Sequence, residues 1–265
     1  MKKFINLFFI IALVAVGFTS CEEKEDVPAK IPGMGDTPGE LEVKEPFALP
    51  EGLVITEVQG IDEGVVTVDN ILNQSNSLKS AQDFNLSDIF GCGGSYSGNR
   101  FRAWITIRLT IQNTSQDKKC FRFEQGLLFE VSDQQYQNGV LCNDVDICLE
   151  PNTYRHVYMW IVCVNKGKDG SASNVTYKIK GVSSSRTLWS QCLNRIKRKK
   201  TNWRHYRNGN LPSELKAANT DTYDLEKYKE VADHIQNAVW TLTNDGNDLS
   251  EEQVNYLESL PDLDE

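Results

Sequence analysis

The stretch 101–112 constrains this chain more than any other. Phe101, Ala103, Ile105, Ile107, Leu109 and Ile111 alternate with Arg102, Trp104, Thr106, Arg108, Thr110 and Gln112. Side chains of a strand point alternately to its two faces, so the first set must meet a core. Such a strand also needs neighbours on both edges, and the sequence offers them. Leu53-Val54-Ile55 and Val65-Val66-Thr67-Val68, separated by Gly60 and Gly64, predict a hairpin within 52–72. Further strands are expected at 120–124, 127–131, 139–142, 145–149, 155–164 and 174–180. Asn113-Thr114-Ser115-Gln116-Asp117 and Pro151-Asn152 serve as turns. This spacing predicts an antiparallel, immunoglobulin-like β-sandwich over 51–182. Residues 73–99 read as a polar loop. Gly91-Cys92-Gly93-Gly94 has no leading strand, following helix or closing Lys-Ser/Thr, so it is not read as a phosphate loop.

After residue 182 the apolar period lengthens. Leu188, Cys192 and Ile196 form one helical stripe within 186–200, with Trp189 and Leu193 beside it. Leu225, Tyr228, Val231, Ala232, Ile235, Val239 and Leu242 form another within 223–243, which Asn244-Asp245-Gly246 ends. Ser250-Glu251-Glu252-Gln253 is a capping box opening a short helix through Leu260, before Pro261. The expected class is α+β, a sandwich followed by about three helices over 183–265.

Met1-Lys2-Lys3 precedes an uncharged, largely apolar run from Phe4 to Phe18. That run is shorter than the roughly 20 residues of a spanning helix and suits a signal peptide over 1–20. Gly17-Phe18-Thr19-Ser20-Cys21 resembles a lipobox, with Phe18 where Leu is commoner, and implies lipidation of Cys21. Glu22-Glu23-Lys24-Glu25-Asp26 resembles the export signal of outer-membrane surface lipoproteins. Pro28, Pro32, Pro38, Pro46 and Pro50 predict a flexible tether over 21–50. The expected location is the outer membrane, facing outwards by virtue of that acidic signal, with lipid as the membrane contact.

Without Lys2 and Lys3, 26 Lys and Arg stand against 37 Asp and Glu, a net charge of −11. That balance argues against general nucleic-acid binding. The charge is uneven. Arg195, Lys197, Arg198, Lys199, Lys200, Arg204 and Arg207 fall together with Trp203, a candidate patch for an anionic ligand. Residues 244–265 carry eight acids and no base, so the two blocks can attract each other. Beyond Cys21 the chain has Cys92, Cys120, Cys142, Cys148, Cys163 and Cys192. An even number in an exported chain favours disulfides, and Cys142 with Cys148 across Asn143-Asp144 is the expected pair. No Cys-x-x-Cys and only three histidines occur, so no metal or cofactor is expected.

Asn113-Thr114, Gln137-Asn138, Cys163-Val164-Asn165 and Gln236-Asn237-Ala238-Val239-Trp240 together resemble a pattern of secreted bacterial sandwich domains. That resemblance implies a sandwich packed on helices and no particular activity. Gln236-Asn237-Ala238 is also similar to the Gln-x-Ala element of thioester adhesin domains, in which a Gln and a Cys form an internal thioester. Here Ile235 stands where those domains have Thr. No Gly-x-Ser-x-Gly or His-Glu-x-x-His occurs, and Asp233 and His234 are adjacent and would point apart on a helix. The expectation is a binding or structural surface lipoprotein, not an enzyme, whose partner is a glycan or another surface protein. The alternatives are a covalent adhesin or a small hydrolase.

Overall fold

The computed structural model describes residues 28, 30–63, 89–206 and 224–264. Cys21, the signal segment, the strand expected at Val65–Val68 and Arg207 lie outside the described residues. Twelve strands are described: β1 (Val43–Pro46), β2 (Leu53–Gly60), β3 (Ile89–Gly91), β4 (Ser95–Ser97), β5 (Arg100–Arg102), β6 (Ile105–Asn113), β7 (Lys119–Phe123), β8 (Leu127–Val131), β9 (Gly139–Val140), β10 (Val145–Leu149), β11 (Tyr154–Cys163) and β12 (Tyr177–Ser183). The main sheet runs β1-β12-β8-β9-β11-β6-β2, and β3 joins the edge of β11. All pairings are antiparallel except β3 with β11. The sheet curls until its far edge meets its beginning: Gln59 bridges Thr176, and the Gly60 N–H donates to the Val175 carbonyl at 2.9 Å.

The separate β7–β10 ribbon covers the enclosed side and completes a sandwich-like α+β fold. Phe121, Phe123, Val145, Ile147 and Leu149 from the ribbon share one core with Ile105, Ile107, Leu109 and Ile111 of β6. Here the alternation read in 101–112 meets its core. Strand β11 differs, being buried on both faces. Val157, Met159, Ile161 and Cys163 enter the sandwich core, while Tyr158, Trp160, Val162 and Val164 enter a second core beneath the helices. Two buried faces require a continuous apolar run, which is what 157–164 shows.

The helices follow in chain order. A broken helix comprises α1 (Arg186–Leu188), a π turn (Trp189–Leu193) and α2 (Asn194–Ile196). A 3₁₀ turn (Trp203–Tyr206) leads on, and then come α3 (Leu225–Trp240) and α4 (Glu251–Ser259). The Ser250–Gln253 capping box is present in full, with both reciprocal hydrogen bonds. Trp160 of β11 stacks on Tyr228 of α3 at 5.7 Å and meets Trp203 edge-on at 6.4 Å. Each such pair adds about 0.5–1.5 kcal/mol beyond burial alone.

Three expectations need correction. The tether does not extend to residue 50. Ile31, Met34 and Leu41 lie in the helix-side core, and β1 pairs with β12. Proline content hid apolar residues placed singly among them. Second, the loop expected over 73–99 contains β3 and β4, and β4 pairs with β5 just beyond it. Gly91, at φ +91°, lets β3 run so close that an added Cβ would lie 2.2 Å from the Trp160 carbonyl oxygen. Glycine here permits close pairing instead of preventing regular structure. Third, Cys142 does not pair with Cys148. Cys148 stands directly opposite Cys120 across the ribbon, and those two form the disulfide. Cys92, Cys142, Cys163 and Cys192 are free and buried.

Candidate functional site

Five residues behind the sequence resemblance, Asn113, Gln137, Asn138, Asn165 and Gln236, turn out to be buried amides that finish the sheet's hydrogen bonding. The Asn113 Nδ2 group donates to the carbonyls of Asp117, Leu149 and Glu150, and its Oδ1 accepts from the Ser115 N–H. Gln137 Nε2 donates to the Lys168 carbonyl. Asn138 accepts from the Val131 N–H and donates to the Gly33 carbonyl, while Asn165 accepts from the Asn138 N–H and donates to the Gly33 and Gly35 carbonyls. This pair pins the segment containing Ile31 and Met34 against the sheet. A buried backbone group left unpaired costs about 1–3 kcal/mol, which explains why amides stand at these places.

Gln236 acts in the same way at the end of β11. Partner strand β6 begins at Ile105, opposite Ile161. Two residues further along, the Cys163 N–H donates to Gln236 Oε1 at 3.0 Å, and Gln236 Nε2 donates to the Cys163 carbonyl at 2.8 Å. The side-chain amide thus serves as one more peptide unit of a neighbouring strand. One turn later on the same face, Trp240 Nε1 donates to Cys163 Sγ at 3.1 Å. Burial pushes the Cys163 thiol up to about 12, so it stays protonated and a poor nucleophile. Asp233 accepts from the Tyr96 and Asn237 N–H groups, while His234 stacks on Tyr256.

A different arrangement lies where β1, the end of β7 and the broken helix meet. Here a cleft of about 660 Å³ is lined by Lys44, Phe47, Arg122, Glu124, Trp189 and Lys197, among others. Trp189 is fixed on two sides. Its Nε1 donates to the Ser183 carbonyl at 2.8 Å, and Gly126 leaves room for the ring, since an added Cβ there would lie 2.5 Å from it. Lys44 Nζ stands 4.5 Å from the ring centroid, a cation–π contact. The π turn contains Trp189 and ends beside Asn194, another lining residue. Single π turns in helices occur often at functional sites. Phe47 stacks on Phe123 at 5.7 Å. Asp146 holds Arg122 through two hydrogen bonds, of 2.7 and 2.9 Å, and raises its pKa. Lys44 and Lys197 are exposed.

The expected anionic-ligand patch is divided by the fold. Lys197 alone of it lines the cleft. Arg195 pairs with Glu258, Lys199 with Asp262 at 2.9 Å and Lys200 with Asp264 at 3.0 Å. Trp203 is buried, and Arg204 lies over the Phe90 ring at 4.1 Å. Arg198 accepts through its carbonyl from the Leu263 N–H. Sequence reasoning found the basic block but missed Lys44, Phe47 and Trp189 as companions of Lys197. Nothing in the sequence signals that β1 pairs beside β12. Comparison with family models, curated proteins and solved structures finds no match for this chain.

Proposed function

We propose that this chain is a binding lipoprotein, anchored through Cys21 and exposed at the outer membrane, that takes an acidic glycan in the Trp189 cleft. The observation that carries the reading is the fixed indole of Trp189, with Lys44 against its ring, in a cleft that the exposed Lys197 also lines. A half-buried indole at a cleft can offer apolar surface to a sugar ring, and cations in the same cleft suit its carboxylate or sulfate groups. Charge-assisted contacts supply orientation as well as strength. The test is titration of the mature protein with heparin and alginate oligosaccharides. Trp189→Ala should weaken binding about tenfold, as aromatic anchors at binding sites do. Equal binding by wild type and Trp189→Ala would exclude the cleft as the site.

A second reading, the covalent adhesin, is favoured by one contact: Gln236 lies against Cys163. Against it stand the engagement of that amide with backbone groups, the Trp240 hydrogen bond to the sulfur and the raised thiol pKa. The balance supports a structural clamp at Gln236 and ligand binding at Trp189.

A further inference from the structure

We propose that the basic run from Arg195 to Lys200 is a second anion-binding surface, suited to a linear sulfated glycan, and that the acidic segment 258–264 covers it as an internal stand-in for that ligand. The segment lies along the run like a short strand. Lys199 and Asp262 form an antiparallel bridge, the Lys200 N–H donates to the Pro261 carbonyl at 2.7 Å, and the Leu263 N–H donates to the Arg198 carbonyl at 2.7 Å. Its carboxylates meet the cations in sequence, Glu258 on Arg195, Asp262 on Lys199 and Asp264 on Lys200.

Exposure shows which partner is the cover. The side chains of Asp262 and Asp264 are 76% and 91% exposed, whereas those of Lys199 and Lys200 are 17% and 24% exposed. The anions are on the water side and the ammonium groups lie beneath them. Leu260 is buried, but Leu263 is 38% exposed, so after Leu260 the cover is held mainly by polar contacts. Exposed ion pairs are weak and screened by salt, which makes such a cover displaceable. A chain of sulfates can take over the same cations without leaving any of them unpaired.

The chemistry favours a glycan over nucleic acid. Single-stranded nucleic acid needs aromatic platforms for its bases. The run itself holds no aromatic, and the two that follow it, Trp203 and Tyr206, are 2% and 9% exposed and engaged in the core beneath the helices. This surface adjoins the cleft only through Lys197, and the proposal stands without a ligand in the cleft.

The test uses the full mature protein and heparin oligosaccharide as probe. One variant carries Glu258→Gln, Asp262→Asn and Asp264→Asn. A control carries Glu51→Gln, Glu251→Gln and Glu252→Gln, the same change in charge at exposed sites away from the run. The first should bind at least about tenfold tighter than wild type and control. Adding Lys199→Gln and Lys200→Gln should abolish the gain, and Trp189→Ala should leave it intact. An equal gain in the control, a gain that survives loss of both lysines, or tighter binding of single-stranded DNA than of heparin would each overturn the proposal.

Discussion

The amides around β11 and the charges around Trp189 are both polar groups on a β-rich body, yet the fold uses them in opposite ways. Asn113, Gln137, Asn138, Asn165 and Gln236 are all nearly or fully buried, and their amides are spent on backbone groups of this same chain. Lys44 and Lys197 remain in water beside an indole that the backbone holds still. The contrast shows how a sequence pattern can mark structure while the binding chemistry sits elsewhere. An amide can copy a peptide unit and so is favoured wherever a strand loses its neighbour. An ammonium cannot, and it stays available to a ligand.

The largest expected effect comes from pH. Burial raises the thiols of Cys92, Cys142, Cys163 and Cys192 above their ordinary value of 9.0, to about 12 for Cys163 and Cys192. The folded state therefore holds protons that the unfolded chain has released. Stability is full below pH 9.0 and falls as pH rises towards about 12. The urea midpoint should drop between pH 8 and pH 10.5, with no native thiol reacting with a disulfide reagent at pH 8. A flat midpoint, or fast native reaction, would mean that the four thiols are not buried as described.

Trp240→Ala should cost about 3–5 kcal/mol in chemical denaturation, as truncation of a buried aromatic does. A loss below about 1 kcal/mol would place Trp240 outside the core. Reducing Cys120–Cys148 should cost about 3.6 kcal/mol on the chain-entropy view, given a sequence separation of 28. Both cysteines are exposed, so a mild reductant should reach them in the folded protein. Gln236→Ala should cost about 1–3 kcal/mol, since it leaves the Cys163 N–H and carbonyl without their partner. Asp264→Asn should change stability by less than about 0.5 kcal/mol, because its side chain is 91% exposed. If the last two were reversed, the contrast between inward amides and outward charges would fail.

Period carried most of the fold into view. The alternation of 101–112, the apolar run of 157–164 and the stripe on α3 each read directly as an element, because each repeats over many residues. What escaped was set by single contacts between distant segments. Ile31, Met34 and Leu41 stand singly among prolines and glycines, and β1 gains its place from pairing with β12 at Ser183 and Gly181. Lys197 was legible as part of a basic block, but its grouping with Lys44 and Trp189 depends on that pairing. Opposite charge did foreshadow the match between Lys199 and Lys200 and the acidic segment.

Gln236 and Cys163 are joined by hydrogen bonds alone. The intact mass of the chain from residue 21 onward, carrying Cys21→Ser and left unreduced, tests this. The predicted mass is that of the sequence less the two hydrogens of one disulfide, with no adduct after exposure to methylamine. A further deficit of one ammonia, replaced on exposure to methylamine by a gain of one methylamine as the thiol is freed and a Gln236 N-methylamide forms, and absent in Gln236→Ala, would show a thioester and contradict hydrogen bonding alone.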